Sequence, residues 1–389
     1  MKTVRLYYDD SYLTTFSATV VLSCGNRIAL DRSAFYPTSG GQPYDTGTLS
    51  FPGGVCAVTD VNVEEDIVWH TVDAPIPLGT PVQGEICWER RFDHMQQHAG
   101  DHMIAGAIWQ CFQGVTIGLH TGQAESTIDI AMPEGKTHLT DEETSRIEEM
   151  VNARIQKNDP IRCWFPPEDV LSALPLRKKP TVNRHVRVVA MGDYEMVACG
   201  GTHPSSTGQI GPVKILSTAP SRGNMRLTFL AGMRAMRHYQ CAFNAVREMG
   251  ARLSADIAGA PAALEKLLET SAQQQRESQA RLTEAAIHFV RAHATEKDGF
   301  TAYACHLPFG DNTAMQQAAK TLIQSPRTLV LLSCPGGKGR TLLFARSADV
   351  QADVAALLRS CSGKGGGKPD FAQGSTTDEA LPLAALSLL

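Results

Sequence analysis

The sequence predicts an α+β chain: a β-barrel-like N-terminal domain, a mixed α/β domain, a helical arm and a small α/β C-terminal domain. Three observations carry that expectation. Short β-branched and apolar runs, broken by Gly and Pro turns, fill the first ninety residues. A helical apolar period begins abruptly after Arg90. From Ala260 to Lys297 there is no Gly or Pro after Pro261, and the middle of that stretch is polar on every side. The expected segments are 1–90, 91–235, 236–297 and 298–389, and 389 residues suffice for several domains.

In the first segment, FSATVVLSCGNRIAL and TGTLSFPGGVCAVTDVNVEEDIVWHTV read as strands, and DRSAFYPTSGGQPYDTG between them reads as a long loop. RRFDHMQQHAGDHMIAGAIWQCF has the spacing of a buried helix. STIDIAM reads as a strand. THLTDEETSRIEEMVNARIQKN reads as a helix capped by Thr140, with Glu143 as capping-box partner. VRVVAMG and GPVKILSTAP read as strands on either side of CGGTH. In the last segment RTLVLLSC and GRTLLFAR read as strands, DVQADVAALLRSC as a helix, and GKGGGKPDFAQGS as a glycine-rich loop.

Composition narrows the class. The formal charge of -4 gives no global basic field, so nucleic-acid contact has to rest on local clusters, and DNA binding is not expected. The ten cysteines include no CxxC pair, which suits buried thiols in a reducing compartment. No apolar run reaches membrane-spanning length, and the first residues lack a signal-peptide core. The expectation is a cytoplasmic, soluble protein with no membrane partner.

The chemistry starts from CGGTH. Cys199 and His203 put a thiolate and an imidazole on one short loop, and both are good zinc ligands. His98 and His102 lie four apart on the expected buried helix, so they share a face. Together they make a His, His, Cys, His set suited to one tetrahedral zinc. Spacing alone also admits His94 with His98. A metalloprotease is excluded because Ala99, not Glu, follows His98. GKGGGKPD is no P-loop, since Pro369 stands where Ser or Thr would bind magnesium, and a DHH phosphoesterase would need an Asp-His-His cluster that is missing.

FYPTSGGQPYDTG, HMQQHAGDHMI, IGLHTGQAESTIDI and CGGTHPSSTGQIG occur in this order. With them the chain resembles the editing domain of alanyl-tRNA synthetase and the free-standing alanyl-tRNA editing proteins of the AlaX family. GKGGGKPDFAQGS is similar to the DHH-associated domain, which points to the long AlaX form. The resemblance implies a trans-editing hydrolase that removes serine, and glycine as a second substrate, from mischarged tRNA(Ala). It implies one zinc ion per chain on His98, His102, Cys199 and His203. The ATP-binding motifs of class II synthetases are not recognisable, so aminoacylation is not expected.

The chain departs from the family pattern at Ser33, where Thr is common, and at Thr38, where an acid is common. Ser33 is expected to read the serine hydroxyl, which an alanine-shaped synthetic site cannot strongly reject. Gly40 and Gly41 allow close backbone approach to substrate, and Gln42 is expected to hold the water or the ester. Ser33, Gln42 and Cys199 are thus the catalytic candidates. Zinc can polarise the ester, or it can order the pocket. Asp45 and Asp129 are further polar candidates or local caps, and His120 reads as a core histidine. Arg177, Lys178, Lys179, Arg184 and Arg187 precede CGGTH, and Arg222, Arg226, Arg234 and Arg237 follow it; these suit phosphate contacts. Lys364 and Lys368 are candidates for RNA backbone, and the C-terminal domain also for pairing two copies. The rival reading is a tRNA-binding protein with a purely structural zinc.

Overall fold

The computed structural model describes residues 2–180, 185–336, 339–362 and 364–389. The chain divides into two compact units, Met1–Ala245 and Val246–Leu389. The sequence suggests four segments. The helix Gly232–Arg252 runs through both the expected boundary at 235 and the observed one.

In the first unit six strands close into an antiparallel barrel, in the order Thr15–Cys24, Arg27–Leu30, Ile67–Val72, Gly54–Glu64, Gly47–Phe51 and Pro81–Ile86. Alternation drives it. Phe16, Ala18 and Val20 point inward, while Thr15, Ser17 and Thr19 face out. Ile67–Val72 follows the same rule, but one of its inward positions is His70.

Helix α1 (Trp88–Phe112) leaves the barrel. Every residue from His94 to Ile108 is buried, so its amphipathicity is weak and its polar residues must find partners inside. It packs on a four-stranded antiparallel sheet ordered Val213–Ser221, Asn224–Ala231, Ser126–Ala131 and Val115–Thr121. Helix α2 (Asp141–Gln156) has the expected capping box. Thr140 Oγ1 accepts from Glu143 N, and Glu143 accepts from Thr140 N. A small sheet of Ile161–Trp164, Val188–Met191 and Glu195–Ala198 runs directly into Cys199.

In the second unit the helix Ala260–Arg291 is largely exposed along its middle and packs near its end on Asn312–Leu322. The expected arm to residue 297 ends earlier, because Ala294–Lys297 is already the first strand of a six-stranded sheet. The glycine-rich stretch expected as a loop is also strand. Gly365–Lys368 pairs with Phe371–Thr376 and forms a sheet edge, where a backbone ladder needs no side chains. Among the described residues, no helix is long and apolar enough to cross a membrane.

Candidate metal centre and its clefts

Four side chains converge from two distant segments. The donor atoms of His98, His102, Cys199 and His203 all lie within 4.8 Å of one another. His98 Nε2 is 3.1 Å from Cys199 Sγ, and His203 Nε2 is 3.8 Å from it. Tetrahedral bonds of about 2.0–2.3 Å place ligand atoms roughly 3.3–3.8 Å apart, so the two Cys199 distances are close to those of a metal shell. Both ring nitrogens of His102 and Nδ1 of His203 are buried with no hydrogen-bond partner. Buried polar atoms are seldom left this way, and a metal ion would take one nitrogen of each ring. The residues therefore fit a metal ion. His94 sits one turn earlier on α1 and outside the cluster, which resolves the alternative pairing.

Burial sets the protonation. It lowers His98 to about 4, with Arg187 adding to the effect, and it takes His102 and His203 well below the usual histidine range. All three are thus neutral and ligand-ready near neutral pH. Burial also raises the Cys199 thiol to about 12, so a metal entering the cluster must displace that proton.

The loop bearing the cysteine is held from behind. Arg187 Nη1 donates to the carbonyl of Gly201 at 2.7 Å and of Cys199 at 3.2 Å. Gly201 has to be glycine, since a Cβ would come within 2.3 Å of His98 Cε1. Arg187, grouped by sequence with the phosphate contacts, is therefore a buried anchor of the metal loop.

The SGGQ loop supplies the next layer. Ser39 and Gln42 exchange backbone hydrogen bonds at 3.1 and 3.0 Å, and Gly41 has a φ of +83° with a carbonyl against the Thr121 amide. A Cβ at Gly41 would meet Leu119 O at 2.2 Å. The turn drives Gln42 fully inside. Gln42 Oε1 accepts from Thr202 N at 3.1 Å and lies 3.0 Å from His98 Nδ1, while Nε2 donates to Thr202 Oγ1 at 2.8 Å. The amide is spent on His98 and Thr202, and it turns the unprotonated Nε2 of His98 toward the cluster.

Ser33 is turned inward. Its hydroxyl is 2.8 Å from His70 Nε2 and accepts from Phe35 N, and it lines neither cleft described below. Asp45 is an internal tie: it accepts from Arg91 and from Tyr36 N, and the Arg91 pair is fully buried. Asp129 pairs with Arg226 on the sheet, Arg234 pairs with Asp93, and Arg177 pairs with Glu195. His120 is exposed rather than core. Arg184 lies outside the described residues. Lys364 and Lys368 stand exposed at the sheet edge of the second unit.

Two clefts meet over the loop. The larger, of ≈ 1040 Å³, is lined by Lys2, Arg5, Lys178, Lys179 and His185 with the rings of Tyr8 and Phe165 among them. The two rings meet edge-on at 5.5 Å. The smaller, of ≈ 270 Å³, reaches His98, His102 and Cys199 and also takes in Ser39, Gly40 and Asp101. Cys199, Gly200 and Lys178 line both. Asp101 went unnoticed in the sequence, and its only signal there is its place inside HAGDH. Burial raises its carboxyl to about 7, opposed by Arg177.

Comparison with known proteins agrees with this layout. Residues 186–227, which carry CGGTH, match the family model of the threonyl and alanyl tRNA synthetase second additional domain. Residues 9–90, the barrel and SGGQ loop, match that of the class II (A) tRNA synthetases. The alanine–tRNA ligase of Pyrobaculum neutrophilum is 33% identical over 96% of this chain, and that of Pyrococcus furiosus 30% identical over 97%. The chain spans 42% of the length of each of these ligases. A solved C-Ala domain of the Aquifex aeolicus alanyl-tRNA synthetase overlaps 24% of this chain and 92% of its own, at 18% identity and a TM-score of 0.22.

Proposed function

We propose that this chain, which is related to alanine–tRNA ligases along nearly its whole length and resembles the alanyl-tRNA editing proteins of the AlaX family, is a hydrolase of mischarged tRNA(Ala). Serine is the first substrate and glycine the second. The observation that carries the reading is the junction of the two clefts: a small chamber reaching three of the four clustered donors, His98, His102 and Cys199, opens beside a basic, aromatic-walled one. The three imidazoles and the thiol favour zinc.

In the reaction, water adds to the ester carbonyl, the bond to the terminal ribose oxygen breaks, and that oxygen leaves with a proton as the tRNA hydroxyl. Zinc bound by His98, His102, Cys199 and His203 would supply Lewis acidity and hold the floor of the chamber in order. The chain supplies the positioning. Gln42 holds the proton on His98 Nδ1, and Arg187 fixes the loop carbonyls. Lys2, Lys178 and Lys179 offer charge to phosphates, and Tyr8 and Phe165 offer faces to an unstacked base. In the second unit, the exposed Lys364 and Lys368 are candidates for RNA backbone.

The test is deacylation of Ser-, Gly- and Ala-charged tRNA(Ala) by the purified chain, with Cys199→Ala alongside. Fast loss of serine, slow loss of alanine and at least a 100-fold slower mutant are expected, a loss on the scale of removing a principal catalytic group. The rival reading, a tRNA-binding protein with a structural zinc, is favoured by the closed set of four protein donors. It predicts retained zinc and bound tRNA with no ester loss at all.

A further inference from the structure

The smaller cleft contains a carboxyl group with nothing to hold. Asp101 lies between two of the clustered histidines on α1, three residues after His98 and one before His102. It lines the cleft, it is 6% exposed, and its Oδ1 is buried without a hydrogen-bond partner. It is not one of the four converging donors. Arg177 attracts the carboxylate and Glu195 opposes it. Arg177, also in the cleft wall, gives its Nε to both carboxylate oxygens of Glu195, at 2.8 and 3.0 Å. Neither member of that pair hydrogen-bonds Asp101. A buried acceptor of this kind is costly until a donor fills it.

We propose that Asp101 receives the α-ammonium group of the aminoacyl ester, making it the residue that positions the substrate's amino acid in the small cleft. This rests on the ester-hydrolase reading above. The α-ammonium is attached to the carbon next to the scissile carbonyl, so anchoring it beside the metal cluster fixes the carbonyl there as well. The ≈ 270 Å³ volume suits a small amino acid, and the nucleotide falls to the larger cleft. An ammonium is common to seryl, glycyl and alanyl esters, so Asp101 binds the class and does not choose among its members.

The experiment uses the zinc-loaded full chain, wild type and Asp101→Asn, with Ser-tRNA(Ala), Gly-tRNA(Ala) and N-acetyl-Ser-tRNA(Ala), in which the charge is masked. Wild type is expected to prefer the free amine, and Asp101→Asn to lower kcat/KM on the seryl and glycyl esters alike, roughly 10- to 100-fold, as for loss of a charged hydrogen bond. The preference for the free amine over the acetylated one should vanish, with zinc content unchanged. Binding of an amide-linked, non-hydrolysable seryl-adenosine should weaken by the same factor. A mutant that keeps the preference, or loses activity on the seryl ester alone, overturns the assignment. If Asp101→Asn does not fold, wild type decides: equal rates on free and acetylated esters overturn the assignment by themselves. A wild type inactive on all three esters defeats the hydrolase reading, a different failure from an active enzyme that ignores the amine.

Discussion

The two units of this chain solve the problem of burial in opposite ways. The second, Val246–Leu389, buries almost nothing but apolar side chains against its six-stranded sheet, with Thr328, Ser333 and Ser347 the buried polar exceptions. Its described ion pairs are all exposed on at least one side. The first unit buries five histidines, an Asp–Arg pair and an Arg–Glu pair. Apolar burial is non-directional and needs only volume and pattern. Each buried polar group instead needs a partner at a fixed place. The contrast shows where the cost of polar burial is carried: the unit with the four-donor cluster is the one whose core is hard to assemble.

The sharpest way to test that contrast is the Asp45–Arg91 pair. Arg91 donates to Asp45, to the carbonyl of Ser11 at 2.9 Å and to that of Ala34 at 2.6 Å, tying loop, barrel and α1 together. Arg91→Met leaves a carboxylate buried without its charge partner, which costs about 3–5 kcal/mol. Hydrogen exchange resolved along the full chain should show that loss in residues 2–245 and leave the second unit's protection unchanged. Equal loss in both units would mean that they unfold as one, and the contrast would lose its meaning.

Acid tests the same contrast more gently. His70 occupies an inward barrel position, and burial lowers it to about 4 from an ordinary 6.5. The folded chain keeps it neutral while the unfolded chain takes up a proton below 6.5. Its contribution is therefore absent above that pH, and stability is lost as pH falls from 6.5 toward 4. At about 1.36 kcal/mol per pKa unit the loss reaches ~3 kcal/mol. Denaturant melts of wild type and His70→Gln, both zinc-loaded, should diverge across this window, with the mutant the less steep. Parallel curves would show that His70 titrates alike in both states.

Much of this was legible in the sequence, for local reasons. The period of α1, the capping box at Thr140 and the alternation at Phe16, Ala18 and Val20 are all short-range patterns. The i,i+4 histidines and CGGTH could be paired because metal chemistry constrains which side chains meet. What stayed hidden joins residues far apart in the chain. Gln42 meets Thr202 across 160 positions, and Arg91 meets Asp45 across 46. No spacing rule predicts that Ser33 would turn to His70 rather than to a ligand. The glycine-rich strand was missed because glycine composition reads as loop, whereas an edge strand pairs by backbone alone.

Gln42 gives the smallest and most specific effect, because it separates ordering a ligand from being one. Its Oε1 holds His98 Nδ1 at 3.0 Å and the Thr202 amide at 3.1 Å, so one carbonyl couples the barrel loop, α1 and the CGGTH loop. Gln42→Ala leaves all four donors in place but frees the His98 ring to change tautomer and the loop to drift. Loss of such an outer partner typically lowers metal affinity 10- to 100-fold, equivalent to about 1.4–2.7 kcal/mol. Competition against a chelator of known zinc affinity reads this directly. Cys199→Ala should bind far more weakly in the same assay, and Ser33→Ala should bind as wild type does. If Gln42→Ala kept full affinity while ester hydrolysis fell, the amide would be acting on substrate instead, as its place in the SGGQ motif first suggests.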